Sequence, residues 1–351
     1  MVMLLIDRVE IKAGLMPMDV EADIAKGLLT KAGKQAFSAE KAKLEKSIAA
    51  MLSYWAKYSD PLEGVILEAF PPSSKVARGY RAAFRVSPAD VSLAGCSDTI
   101  LRIGHRGGPS GSVHSLKAEW NPARAGAAGA IYLQLLLTLA AIEKPTPFHA
   151  ALSCTLSRLD IAIDRPLPIP ATLTFDHATK STGALYKSKK HGLEAVHFGA
   201  NGCDAVHIYN RRFAKWPSDA FRLEFRLVPK HPKSIRLLEL PKLSNPLPNL
   251  RVYDTGALGL SAAHAYHLAR AIDADGLEHA LAAWADPVVI KMHRQKILAS
   301  TPAWWDPAAL WSKWPDLSAE FMAPVMAMAA LLPPGQGMKE LESCALEFTA
   351  A

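Results

Sequence analysis

The chain has 351 residues, half of them hydrophobic, and a net charge of +7, with a pI of about 9.1 and a mean hydropathy of +0.07. That composition excludes global disorder and allows either one large domain or a main domain with a smaller companion. The basic balance favours an anionic partner without specifying nucleic acid.

The opening Met-Val-Met-Leu-Leu-Ile-Asp-Arg is too short an apolar run for a signal peptide. Residues 2–12 alternate as a strand does. Residues 35–58 predict a helix, with Leu44, Ile48, Leu52 and Trp55 at helical spacing. The chain then turns β-rich, with short runs over 64–70, 80–86, 100–105 and 113–120. The glycine-rich stretch 104–111 matches no phosphate-loop pattern and is expected to be a hairpin turn. Residues 125–142 carry no charge over 18 positions, the lower edge of a membrane span. Six Ala and Gly at the start, together with Gln134 and Thr138, favour a buried core helix over 127–142 instead. A strand is expected over 152–164, broken by Pro166, Pro168 and Pro170, and then a helix before Tyr186. A hairpin, Val196-His197-Phe198-Gly199 to Val206-His207-Ile208-Tyr209, and a strand, Phe221-Arg222-Leu223-Glu224-Phe225-Arg226-Leu227, complete this region.

Hairpins imply antiparallel pairing, so the expected class is α+β: an antiparallel β-sheet core with packed helices, followed by a helical C-terminal region. Three segments are expected: 1–230 as the α+β domain, 231–257 as a Pro-rich connection and 258–351 as the helical region. Asp286-Pro287 and Asp306-Pro307 read as N-cap and first-turn pairs opening helices. The tryptophans at 304, 305, 311 and 314 have the spacing of core residues. His264 and His267 read as packing or surface residues. Cys96, Cys154, Cys203 and Cys344 form no C-x-x-C pair and read as reduced thiols of a cytoplasmic protein.

Side chains of a strand alternate between its faces. Leu159, Ile161 and Ile163 therefore point one way, and Arg158, Asp160 and Asp164 the other. In the later strand Arg222, Glu224 and Arg226 share the polar face. Asp160 and Glu224 on neighbouring strands would offer oxygen ligands to a hard divalent cation. Glu119, on one face with Lys117, is a third candidate ligand, and Asp164 either a further one or a strand terminator. The competing interpretation is a solvated face on which Arg158, Arg222 and Arg226 pair the acids. His197 and His207 lie on the two arms of the hairpin and are candidates for metal ligation, proton transfer or phosphate contact. Tyr209 shares a face with His207. An ordinary tyrosine, with its pKa near 10, needs a metal or a base to become a nucleophile, and among eight tyrosines composition does not select it over Tyr186. Basic clusters at 187–191, at Arg211-Arg212 with Lys215, and at 230–236 suit phosphate backbone contact. Together these residues suggest metal-assisted cutting of a phosphodiester.

The segment Leu116-Lys117-Ala118-Glu119-Trp120-Asn121-Pro122-Ala123-Arg124, the run Leu156-Ser157-Arg158-Leu159-Asp160, the hairpin ending in Ile208-Tyr209, and Phe221-Arg222-Leu223-Glu224 occur in an order that resembles the gene II and gene X replication initiators of filamentous phages. More distantly, the order is similar to plasmid rolling-circle replication initiation factors. The resemblance spans roughly residues 1–230. It implies a site-specific single-strand endonuclease and strand-joining enzyme that holds the 5′ end as a phosphotyrosine and leaves a 3′ hydroxyl to prime replication. It assigns Tyr209 as nucleophile and Asp160, Glu224 and Glu119 as ligands of Mg²⁺ or Mn²⁺; His207 or His197, from the residue pattern, is the candidate for taking the tyrosine proton. Arg222, Lys187, Lys189, Lys190, Arg211 and Arg212 would contact DNA. Where related plasmid initiators carry Lys after an acidic residue following the tyrosine, this chain has Asn210, Arg211 and Arg212. The implied partner is a replication origin, single-stranded at the nick, with a host helicase as a further candidate. Three other functions remain open on the residues alone: a conjugative relaxase of related fold, a non-catalytic DNA-binding regulator, and a metal-dependent hydrolase using water.

Overall fold

A computed structural model describes residues 2–25, 28–58, 64–93, 96–105, 114–188, 192–199, 204–211, 220–229, 235–282 and 287–332. In chain order the elements begin with β1 (Met3–Gly14), α1 (Met18–Ala25), α2 (Lys31–Tyr58), β2 (Val65–Ala69), β3 (Tyr80–Pro88), β4 (Thr99–His105), β5 (His114–Trp120), α3 (Pro122–Ala125), α4 (Ala128–Ala140) and α5 (Pro147–Ser153). They continue with β6 (Thr155–Arg165), β7 (Leu173–His177), β8 (Thr182–Ser188), β9 (Gly192–Phe198), β10 (Ala205–Asn210), β11 (Phe221–Leu227), β12 (Ile235–Arg236) and β13 (Leu250–Asp254). Helices α6 (Ala262–Asp275), α7 (Leu277–Ala282), α8 (Pro287–Ala299), α9 (Pro307–Trp311) and α10 (Trp314–Ala330) close the described chain. The class is α+β, with antiparallel sheet and a helical C-terminal region.

The chain divides into two compact units. One gathers the start of β1 up to Ile6, Asp160–Val228 and Leu243–Pro315; the other gathers Asp7–Leu159, Pro229–Lys242 and the chain from Asp316. The expected 1–230 segment thus contributes to both units, and so does the helical region beyond 258.

In the unit that begins at Asp7, the strand order is β2-β3-β4-β5-β1, and each neighbouring pair is antiparallel. Register places Val9 opposite Trp120, Ile11 opposite Ala118 and Ala13 opposite Leu116, and all six are buried. On α2 the expected helical stripe is real, with Ile48 and Leu52 buried. Helix α4 buries Tyr132, Leu133, Leu135, Leu136, Leu137 and Leu139. Each such side chain contributes roughly 1.5–3 kcal/mol when removed from water, which explains the uncharged run as core. Among the described residues no helix is long and apolar enough to cross a membrane.

Two local expectations need correction. The segment before Thr155 is not strand: Thr146 caps α5 by accepting from the His149 amide, Pro147 opens the helix, and Cys154 turns to extended backbone before β6 begins. No helix precedes Tyr186 either. That stretch holds β7, which pairs antiparallel with the distant β13, and β8, which pairs with β9. The Pro-rich connection folds into short 3-10 turns at Leu237–Lys242 and Leu247–Asn249. The turn expected at 106–111, Asp286, Cys203 and Cys344 lie outside the described residues.

A fully buried Lys144 pins the end of β1. Its Nζ donates to Met16 O at 2.7 Å, Gly14 O at 3.1 Å, Glu21 Oε1 at 3.1 Å and Ala140 O at 3.3 Å. Glu21 in turn accepts from the Met16 amide, and burial pushes its carboxyl pKa up against the pull of Lys144. A Cβ added at Gly14 would lie 1.8 Å from the Glu21 carboxylate, so a larger residue here would have to push that carboxylate off Lys144.

In the unit that contains Asp160–Val228, the order is β6-β11-β10-β9-β8. Its small β7–β13 sheet packs on α6. The Asp273 carboxylate accepts from Thr174 Oγ1 at 2.8 Å and the Phe175 amide at 2.9 Å and pairs with Arg270 at 3.0 Å. Tyr253, Leu268, Ile272, Leu281 and Ile297 form the core beside it. Trp305 and Trp314 are buried as expected, and Arg165 lies 4.5 Å above the Trp304 ring. His264 and His267 are exposed. Asp306 caps α9 by accepting from the Ala308 and Ala309 amides.

Two predictions follow from the first of these units. Lys144→Met leaves three carbonyls and the Glu21 carboxylate buried without their cation, and should lower unfolding stability by about 3–5 kcal/mol in chemical denaturation. His114, which meets Thr155 Oγ1 at 3.0 Å, has its pKa pushed down to about 4 by burial, with Lys12 and Lys41 adding to the effect. The folded state therefore favours neutral imidazole. Its contribution is complete above the ordinary histidine pKa of about 6.5 and is lost as pH falls toward 4. In melts taken across that window, His114→Gln should show a shallower loss than the wild type; equal slopes would refute the assignment.

Candidate functional site

The antiparallel register of β10 with β11 sets His207 opposite Glu224 and Tyr209 opposite Arg222. Its register with β9 sets His207 opposite His197 and Tyr209 opposite Ala195. Directly opposed residues share a face. Tyr209, His207, His197, Glu224 and Arg222 therefore share the face expected from alternation. The two imidazoles stack, with ring centroids 4.2 Å apart and planes 17° from parallel. Burial, with a smaller contribution from Arg226, lowers the pKa of His197.

The Tyr209 hydroxyl donates to Glu224 Oε2 at 3.1 Å. The other oxygen of the same carboxylate accepts from Arg226 Nη2 at 2.9 Å, and Arg226 Nε lies 3.6 Å from Asp160 Oδ1. Asp160 is 1% exposed and Glu224 7%. The two carboxylates are thus out of solvent, while Tyr209, His207 and His197 are half-buried. Two buried carboxylates converge on one cationic group. A hard divalent ion suits those oxygen donors, and in this structure the guanidinium of Arg226 bridges them. Among the described residues no group of three His, Cys, Asp or Glu side chains has the geometry to hold a metal ion.

Asp164, a candidate ligand, is engaged by Arg222 through Nε to Oδ1 at 2.7 Å and Nη2 to Oδ2 at 2.8 Å, with Arg211 3.5 Å away. Arg222 is 4% exposed, so it serves this bidentate pair and does not present a free cation to solvent. Glu119 belongs to the unit that begins at Asp7, where Arg8 and Arg102 pair with it. Lys187 is exposed on β8. Lys189, Lys190 and Arg212 lie outside the described residues.

Sequence reading did not single out Asn210. It is 1% exposed; its Oδ1 accepts from the Ile169 amide at 2.8 Å and its Nδ2 donates to Leu193 O at 3.0 Å. This amide anchors the end of β10, next to Tyr209, to the segment after β6 and to β9. A polar residue on the apolar parity of β10 was the available signal. The bidentate pair has a measurable consequence: Asp164→Ala removes both of these bonds from a buried guanidinium, and should cost about 3–5 kcal/mol of stability in urea unfolding.

No protein-family model matches the chain, and no curated protein matches it. Among solved structures, a rolling-circle replication initiator protein from Geobacillus stearothermophilus is similar over 65% of this chain and 75% of that one, at 9% sequence identity and a TM-score of 0.30.

Proposed function

We propose that this chain is a rolling-circle DNA replication initiator: a site-specific, metal-dependent endonuclease and strand-joining enzyme that works through a 5′-phosphotyrosine. The observation that carries this reading is the Tyr209 hydroxyl held by Glu224 beside the stacked His197 and His207. The motif order that resembles phage initiators supports it independently.

In this reading Tyr209 Oη attacks the scissile phosphorus. The new O–P bond forms as the P–O3′ bond breaks, and the departing 3′ oxygen takes up a proton. Glu224 orients the hydroxyl. Between an ordinary tyrosine and an ordinary carboxylate the proton faces a gap of about six pKa units, or ~8 kcal/mol. Transfer to Glu224 ahead of attack is therefore unfavourable, and the proton leaves as phosphorus bonding proceeds. His207, opposite Glu224 in register, or His197, stacked on it, is the acceptor this reading assigns. Asp160 and Glu224 would hold Mg²⁺ or Mn²⁺, which when bound supplies Lewis-acid polarisation of a phosphoryl oxygen. Arg222 acts through Asp164 as a positioning residue, and Lys187 meets the DNA backbone. Reversal by a later 3′ hydroxyl closes the strand, because the phosphotyrosine conserves the bond energy.

The ion pairs of Arg226 favour a second reading, in which the acids are structural and the protein binds DNA without cutting it. An adduct assay separates the two. The protein is mixed with its own replicon DNA in single-stranded form plus Mn²⁺ and resolved on a denaturing gel. The initiator reading expects a covalent protein–DNA band that chelation and Tyr209→Phe both abolish, and that Glu224→Gln slows on the order of 10²-fold or more. Salt-sensitive binding with no covalent band would support the regulator. A band that survives Tyr209→Phe would move the nucleophile elsewhere.

A further inference from the structure

Tyr186 stands out as a large aromatic left 42% exposed within ring contact of the proposed site. It lies on β8, the last strand of its unit's order. In register Tyr186 opposes Ala195, and Ala195 opposes Tyr209. The two tyrosines therefore sit in one cross-strand row, two strand spacings or about 10 Å apart at the backbone, with a single methyl group between them. The Tyr186 ring meets His197 at 5.2 Å between centroids and 59° between planes. His197 is the same imidazole that stacks on His207.

The register shifts between Tyr186 and Lys187, so that Tyr186 opposes Ala195 while Lys187 opposes Leu193. Ala195 and Leu193 are two residues apart and share a face. The extra residue, Glu194, is on β9, and the exposed Tyr186 is followed on β8 by an exposed lysine. A flat π surface next to a cation is the combination that receives an unpaired base and its phosphate.

We infer that Tyr186 and Lys187 form a stacking subsite for one nucleobase of single-stranded DNA, beside the phosphate that meets Tyr209. The inference rests on the initiator reading for the position of that phosphate, while the stack itself requires only single-strand binding. Every base has a π face, so the subsite tolerates any sequence. It holds the strand in extended, unpaired form across Ala195.

The test is fluorescence anisotropy of the full chain with a labelled oligothymidylate of about ten nucleotides, within the footprint of sequence-tolerant single-strand binders. Tyr186→Phe should bind as the wild type does. Tyr186→Ala should loosen Kd about 5- to 150-fold, the range expected for losing one base–aromatic stack. Lys187→Ala should weaken binding and flatten its salt dependence. Circular dichroism checks that these surface variants fold. Unchanged binding in Tyr186→Ala would overturn the subsite, as would wild-type protein that does not bind the oligonucleotide. A loss in Tyr186→Phe equal to that in Tyr186→Ala would overturn it too, because the hydroxyl would then be the group that matters. The adduct assay is read separately: a stacking effect without any adduct retains the subsite and sinks the initiator reading, and an adduct without a stacking effect does the reverse.

Discussion

The register between β10 and β11 pairs His207 with Glu224 and Tyr209 with Arg222, and every contact at the candidate site depends on it. The side-chain period of a strand is two, so a slip of one residue would turn Tyr209 and both flanking polar groups to the opposite face. Val206, Ile208, Leu223 and Phe225, all buried, would then move to where the tyrosine stands. The apolar side of the sheet therefore sets the geometry of its polar side. Burial of four large side chains holds a hydroxyl within hydrogen-bonding distance of a carboxylate.

This unit also buries carboxylates, and it meets the cost of burying charge by pairing. Arg226 lies between Asp160 and Glu224, Arg222 clasps Asp164 with two bonds, and Arg270 meets Asp273 beside two further donors. Such pairs contribute little net stability over an apolar replacement, yet breaking one is costly because the survivor remains a buried charge. Their value here is geometric. A planar guanidinium with fixed donor directions sets the separation and orientation of the carboxylates it touches. Asp164 accepts from Arg222 through both of its oxygens, whereas Glu224 divides its oxygens between Arg226 and the Tyr209 hydroxyl. That division makes Glu224 the acid at which a change of cation would be felt by the tyrosine.

Much of this was legible in the residues. The helical stripe of α2, the uncharged core helix α4, the Asp306 cap and the alternation in β6, β10 and β11 are local patterns, and local patterns survive folding when one face must be buried. The facing of His197 and His207 also followed, because a hairpin fixes its own register. The missed elements have a common cause. β7 pairs with β13, more than seventy residues away in sequence, and no local periodicity announces a partner at that distance. Likewise α5 was hidden in an apolar stretch that suits either helix or strand until the Thr146 cap and Pro147 are seen in place.

By itself the sequence determined the parity: which residues of each strand are apolar, which are charged, and that Tyr209, His207, Asp160 and Glu224 occupy polar positions. It also determined the α+β class, through hairpin spacing and helical periodicity. Only the tertiary structure decided how the charges were shared. It gave Arg222 to Asp164, Arg226 to Asp160 and Glu224, and the hydrogen bond of the Tyr209 hydroxyl to Glu224, and it brought Tyr186 into the row of Tyr209. Parity is a property of one strand and can be read along the chain. Partnership depends on strand order, which brings β6 beside β11 from far along the chain, and on the register of each strand against its neighbour.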